Sequence, residues 1–281
     1  MGWSNRGVRV PVQASGFGFP FGFRFGLRRA VGPARRAADG VLSVLLGPAC
    51  AACGQVLDAP TEGPVCAACW AGVARLVPPL CDSCGDPLPS WRKLQAERGI
   101  CPRCRRAPRV VDRSRAVGEY EGSLRDIIHA FKYDSRTSLA RRLGAMMRVA
   151  GDDVLRDVSC AIPIPLHPWR RLHRGFNQAT ELARRLRVPV VHALWRRRAT
   201  VPQSGLTAAD RRRNVREVFV LSPWVRTRAA RLAWLEDRCV VLVDDVRTTG
   251  ATLDACARVL KGAGAREVRA LTIARAAPPR R

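Results

Sequence analysis

Four Cys-x-x-Cys pairs constrain this chain more than any other feature: Cys50/Cys53, Cys66/Cys69, Cys81/Cys84 and Cys101/Cys104. A turn of this kind aims two thiolates at one ion, so four turns predict two tetrahedral zinc sites with all-cysteine ligation. Sites closed by four sulfurs keep no open position and are structural, not catalytic. Pairing first with second and third with fourth gives two consecutive ribbons; a cross-braced arrangement satisfies the same spacing. Redox-active dithiols are the competing chemistry. Gly54 and Gly85 follow the first and third pairs, where a tight knuckle turn needs a residue without a side chain. The stretch from 49 to 108 has few long apolar periods and needs such staples to fold. The other cysteines, Cys160, Cys239 and Cys256, lie in apolar patterns and read as small buried hydrophobes.

A cytoplasmic, reducing compartment is the default expectation, and there paired cysteines bind metal more often than they form disulfides. No run of about 18 apolar residues predicts a membrane-spanning helix, and the N-terminal stretch lacks a continuous signal-type apolar core. Residues 1–38, with the run Gly16-Phe-Gly-Phe-Pro-Phe-Gly-Phe-Arg-Phe-Gly26, read as a low-complexity or disordered leader, or an over-extended gene start. After it, Gly40 to Leu46 is a short helix with Asp39 as its N-cap. Lys+Arg number 49 against 23 acids, a formal charge of +26. The basic residues are nearly all arginine, which points partly to coding bias. The excess still predicts attraction to phosphates, nucleic acid or anionic lipid.

From 114 to 278 the pattern alternates. Helical spacing covers 124–133, 137–149, 177–187 and 252–261; strand patterns cover 158–166, 188–191, 239–243 and 268–273. Apolar strands alternating with helices predict a parallel α/β sheet. The domains are therefore expected at 1–38 (leader), 39–110 (double zinc ribbon) and 111–281 (α/β domain).

The sharpest chemistry is Val240-Val-Leu-Val-Asp244-Asp245-Val-Arg247-Thr248-Thr249-Gly250-Ala251-Thr252. A buried strand ends in two carboxylates, and a hydroxyl-rich turn then opens a helix. Backbone N–H groups of such a turn suit a phosphate, and paired acids suit vicinal ribose hydroxyls. The segment resembles the phosphoribosyl-pyrophosphate (PRPP) signature of type I phosphoribosyltransferases. That resemblance implies a type I phosphoribosyltransferase-like parallel sheet with flanking helices. It places Asp244 and Asp245 on the ribose 2′- and 3′-hydroxyls, and Arg247, Thr248, Thr249, Gly250, Ala251 and Thr252 around the 5′-phosphate. Purine-salvage members often carry an aspartate where Thr248 stands, so the resemblance does not extend to base deprotonation there.

Upstream, Ile162-Pro-Ile-Pro-Leu-His167…Arg174-Gly175-Phe-Asn177-Gln is a strand end, a basic loop and a helix start with Asn177 as N-cap. With Tyr120-x-Gly-x-Leu-Arg…Phe131-Lys132-Tyr and Arg198…Gln203…Asn214…Phe219, it is similar to the ComF family, phosphoribosyltransferase-like proteins named for competence for DNA uptake. The resemblance covers most of 41–275, and the stretch 222–236 reads as an insertion. It implies a pyrophosphate loop of His167, Arg170, Arg171, Arg174 and Gly175. It puts catalysis on Asp244, Asp245, Arg174 and Lys132, with Mg2+ accompanying PRPP and a 196–216 loop that closes over the ligand. The partners implied are PRPP or a related sugar phosphate, together with single-stranded DNA and the competence machinery. A transferase, a non-catalytic PRPP or nucleotide binder that handles single-stranded DNA, and a structural zinc adaptor remain distinct readings; the adaptor leaves the Asp244–Thr252 loop unexplained. The Arg196–Arg198 and Arg211–Arg213 runs fit a solvated face, a phosphate clamp or a DNA track. Trp169, Trp195, Trp224 and Trp234 suit base stacking, with buried packing expected for most.

Overall fold

The computed structural model describes residues 33–88, 99–133, 136–166, 175–197 and 218–276. His167, Trp169, Arg170, Arg171, Arg174, Arg198, Gln203, Arg211–Arg213 and Asn214 lie outside them, as does the leader up to residue 32.

Four strands form one parallel sheet: β1 (Arg113–Glu119), β2 (Cys160–Pro163), β5 (Cys239–Arg247) and β6 (Glu267–Arg275). Their order is β1-β6-β5-β2, with Val243 opposite Leu271 and Ile162 opposite Leu242. Helices cover both faces, which is why Val240 to Val243 are apolar without interruption and fully buried. On one face, Val241, Val243, Leu271 and Ile273 pack with residues of α2 (Ala67–Ala71), α4 (Gly122–Tyr133), α5 (Leu139–Ala150), α6 (Asp152–Leu155) and α7 (Gln178–Ala183), while α3 (Pro102–Arg106) carries Cys104. On the other, Val240, Leu242, Val268 and Ala270 meet Leu253, Cys256 and Leu260 of α9 (Ala251–Gly262). A separate antiparallel pair, β3 (Leu194–Arg196) and β4 (Phe219–Leu221), joins the second core. Cys160, Cys239 and Cys256 are buried, as their apolar contexts predict.

Several expected boundaries move. The first helix, α1, runs from Pro33 to Leu46, so residues 33–38 are not leader-like and Asp39 is no N-cap. Asp39 sits inside the helix, and its carboxylate accepts a hydrogen bond from Thr61 N at 2.9 Å, which fastens the helix to the first ribbon. The strand expected over 188–191 is a single bridge, Ala161 to Val190. β5 extends through both acids to Arg247, so the carboxylates belong to the strand itself. Residues 222–236, the stretch read as an insertion, form a short 3-10 turn and α8 (Arg228–Trp234), anchored by fully buried Leu235 and by Val225. Trp195 and Trp224 are 53% and 82% exposed, and Trp234 is also exposed, contrary to the packing expected of them. They sit on a two-stranded ribbon, a short turn and a short helix without a buried residue. No helix among the described residues is long and apolar enough to cross a membrane.

Candidate functional site: a sheet-edge acid pair and two cysteine clusters

The sheet brings Asp244 and Asp245 to the carboxyl end of β5, where open parallel sheets present ligand sites. Both are half-buried. The Asp245 amide donates to Asp244 Oδ1 at 2.9 Å, which fixes the first carboxylate against the backbone. Lys132 Nζ, at the end of α4, lies 3.0 Å from Asp245 Oδ2, and both side chains are largely covered. Burial, then the neighbouring Asp245 charge, pushes the Asp244 carboxyl up to about 7; the Asp245 amide, Lys132 and Arg196 oppose that rise. The structure thus gathers Lys132, Asp244 and Asp245 at one edge and adds Arg196, which sequence reasoning treated only as part of a charge run.

Beyond the acids the chain turns. Gly250 takes φ +81°, a left-handed value that side chains resist, and caps α9. Thr248 and Thr249 are exposed, and Thr249 Oγ1 accepts from Ala251 N at 3.3 Å. The bend is therefore open to solvent, with the first-turn N–H groups of a 12-residue helix behind it. Arg247 departs from the expected cradle. Its side chain is buried, with Nη2 at 2.5 Å from Asp86 Oδ1 of the second ribbon. Its backbone belongs to the bend; its guanidinium is committed elsewhere.

The ends of the arginine-rich segment are fixed beside these acids. Ile164 N donates to Val243 O at 2.9 Å. Asn177 bridges the two sides of the segment: Nδ2 donates to Ile164 O at 3.1 Å, and Oδ1 accepts from Ala179 N at 3.0 Å as an N-cap. Gly175 has φ +70° and is exposed, and Phe176 meets Phe131 edge-on at 5.6 Å.

The eight paired cysteines gather as Cys50/Cys53/Cys66/Cys69 and Cys81/Cys84/Cys101/Cys104, each set with sulfurs within 4.8 Å of one another. Sequential pairing is thus the arrangement adopted. Cys50–Cys69, Cys53–Cys66 and Cys84–Cys101 sulfurs stand 3.9, 3.8 and 3.7 Å apart. A tetrahedral ion with Zn–S bonds of about 2.3 Å separates its sulfurs by about 3.8 Å, so both cages fit structural zinc. The amides of Cys66 and Ala52 donate to Cys50 Sγ at 3.3 and 3.5 Å, which suits a ligating thiolate. Gly54 and Gly85 have φ of +74° and +69°, and a Cβ on Gly85 would lie 2.4 Å from Ser114 O. The knuckle glycines are required, the second doubly so.

Comparison with known proteins matches residues 41–105 to the double zinc ribbon domain family and residues 172–280 to the phosphoribosyl transferase domain family. The chain is 31% identical over 208 residues to competence protein F of Haemophilus influenzae, spanning 70% of this chain and 85% of that protein. It is 30% identical over 224 residues to the DNA utilization protein YhgH of Escherichia coli K12, spanning 75% and 90%. The chain belongs to the ComF family. Competence protein ComFC of Bacillus subtilis is 26% identical over 203 residues, covering 70% of this chain and 77% of that one.

In this ComF-family chain the second ribbon lies directly beneath the bend, which the sequence did not reveal. Arg109 Nη1 donates to Thr249 O at 2.6 Å and pairs with Asp254 Oδ2 at 3.3 Å. Asp254, in the first turn of α9, also accepts from the amides of Val110 and Val111 at 3.1 and 3.3 Å. Asp86 draws Arg275 as well as Arg247, with Arg275 Nη1 at 3.4 Å. Burial would raise the Asp86 carboxyl, but the charge and hydrogen bond of Arg247, then Arg275, hold it below the usual carboxylate range. The one signal available in advance was Asp254 itself, an acid placed to meet a helix N-terminus.

Proposed function

We propose that this ComF-family chain binds PRPP, or a closely related sugar phosphate, at the carboxyl edge of β5, and that this binding serves DNA utilisation. The single observation that carries the reading is the half-buried Asp244–Asp245 pair beside an exposed Thr248–Thr249 bend. Carboxylates there accept hydrogen bonds from vicinal ribose hydroxyls. The bend and the start of α9 offer N–H donors to the 5′-phosphate. Lys132 holds a positive charge at the same edge and balances Asp245. Ile164 and Asn177 meet beside Val243, and in this reading the cations of the sequence between them, His167, Arg170, Arg171 and Arg174, serve the leaving pyrophosphate. Magnesium suits the hard oxygen donors of Asp244, Asp245 and the ligand's own phosphates, and when bound it would neutralise pyrophosphate charge. In a transfer reaction, an acceptor attacks the anomeric carbon and the C–O bond to pyrophosphate breaks. Asp244 and Asp245 orient the ribose, while Lys132 and Arg174 steady the departing charge.

Calorimetry of the zinc-loaded full chain with PRPP and Mg2+ tests this reading. Wild type is expected to bind, and Asp244→Ala/Asp245→Ala to lose binding with both zinc ions retained. Equal affinity in both proteins refutes the assignment. Release of pyrophosphate with a panel of bases then separates a transferase from a binder.

A non-catalytic module that handles single-stranded DNA is favoured by one specific observation. Trp195 and Trp224 are exposed on adjoining elements, with exposed Arg197, Arg226 and Arg228 in the same stretches. Aromatic faces with interleaved arginines suit base stacking and backbone charge. Quenching of tryptophan fluorescence by an oligonucleotide at physiological salt, lost in Trp224→Ala, is the expected result. Binding confined to low salt marks charge attraction alone.

A further inference from the structure

We infer that the second four-cysteine site is a positioning element for the phosphate bend, and that Arg109 is the residue through which it acts. The inference rests on the PRPP reading for its functional consequence, though not for its geometry. Arg109 follows the last cysteine pair by a few residues, and its side chain reaches the bend. Its guanidinium holds Thr249 O and Asp254 Oδ2 together, so the carbonyl of the bend and the first turn of α9 share one donor group.

Gly250 leaves room for that arm: a Cβ there would lie 2.3 Å from Arg109 Nη1. The glycine therefore answers two demands, a left-handed backbone and the passage of Arg109. Ser83 and Cys84 of the cage line one small pocket together with Arg109, Arg247, Gly250 and Asp254, so the cage and the bend share a wall. The bend cannot shift without moving Arg109.

Burial lowers the Arg109 guanidinium, but Asp254 raises it above its ordinary value. Arg109 thus lines one pocket with Cys84 of the cage while it holds the carbonyl of the bend. Asp86 makes a second tie, holding Arg247 at the other end of the bend. Outer partners of this kind orient groups they do not replace. Arg109 is a positioning residue in this sense, since its side chain serves the bend and not the opening.

The test uses zinc-loaded full-length protein with Arg109→Ala, Arg109→Lys and, as a control on the first ribbon, Arg142→Ala. Arg142 stacks on Trp70 at 4.5 Å and touches neither the bend nor the acids. Arg109→Ala is expected to weaken PRPP roughly ten- to a hundredfold, the loss typical of outer-shell partners. Zinc stays bound at both sites, and backbone hydrogen exchange accelerates at 248–254 alone. Arg109→Lys, which keeps the charge and one of the two contacts, is expected to fall between wild type and alanine. Arg142→Ala leaves PRPP affinity within about twofold, because no contact links it to the bend. Unchanged exchange at 248–254 in Arg109→Ala overturns the inference, whatever PRPP does. Faster exchange in a chain whose wild type does not bind PRPP upholds the coupling and refutes the ligand.

Discussion

The two ribbons have the same ligands and the same turn chemistry, and they dock in opposite ways. In the first, Cys50, Leu57, Val65, Trp70 and Val73 belong to the same apolar core as Phe131, Met147 and Ile273 of the α/β domain. In the second, the four cysteines form a small cluster of their own, with Leu88 and Ile100 against it among the described residues. Its attachment is polar: Asp86 to Arg247 and Arg275, Arg115 Nη1 to Cys81 O at 3.2 Å, Ser114 N to Ser83 O at 2.7 Å, and Arg109 to Thr249. Apolar docking is undirected and holds the fold together. Polar docking is directional, so it transmits position. The first ribbon serves stability, and the second sets the geometry of a loop.

The largest effect that could break this comparison lies in the first ribbon. Trp70→Ala removes an aromatic from the shared core and is expected to cost about 3–5 kcal/mol of global stability. Denaturant unfolding should show it as a lower midpoint, with the transition still single. If the domain instead unfolds unchanged while the ribbon melts separately, the shared core is not a cooperative unit.

Asp86→Asn probes the second ribbon with a smaller effect. It leaves the buried Arg247 with a weaker partner, at a cost of about 1–3 kcal/mol. The pH dependence fixes the sign. The Asp86 carboxyl lies below its ordinary value in the folded chain. Its contribution is therefore fully present above the unfolded value, near pH 4, and is lost as pH falls through the lower folded value. The gap in thermal midpoint between wild type and Asp86→Asn should close under acid and stay open at neutral pH. A gap independent of pH would mean that the pair with Arg247 is not what holds the junction.

The sequence made the cages and the central strand legible because their signals are local. A Cys-x-x-Cys turn states its chemistry in four residues, and Val240 to Val243 announce a strand covered on both faces. β1 escaped notice because Arg113-Ser-Arg-Ala-Val-Gly-Glu looks like surface. Its Ser114 and Arg115 are nonetheless buried, the latter because Asp153 neutralises it at 2.7 Å. The roles of Asp86 and Arg109 were hidden for a related reason: their partners lie more than a hundred residues further on, and no periodicity reports such a contact. Asp39 followed by an apolar run mimicked a cap, although its partner was the amide of Thr61 in the next module. What the sequence concealed, in each case, was a charge satisfied at a distance.

The smallest effect compares the acid at the ribbon junction with the acid at the sheet edge. Asp86 faces two arginines and is held low; Asp244 faces Asp245 and is raised to about 7. The sign for Asp244 is opposite. A raised carboxyl adds stability that is full below the unfolded value, near pH 4, and is lost as pH rises through about 7. Asp244→Asn, which removes that charge, is expected to stabilise the free protein at pH 8 by about 1 kcal/mol, roughly 2–4 °C in thermal midpoint. At pH 4 the two proteins should melt alike. If the proposed site binds PRPP, the same substitution is expected to flatten the part of the pH dependence of affinity that comes from ionisation of Asp244. Lys132 and Arg196, the cations facing it, set how far that ionisation is shifted toward acid. A variant less stable than wild type at pH 8 would mean that Asp244 is satisfied without a ligand, and that the sheet edge is a structural terminus instead of a site kept under electrostatic strain for binding.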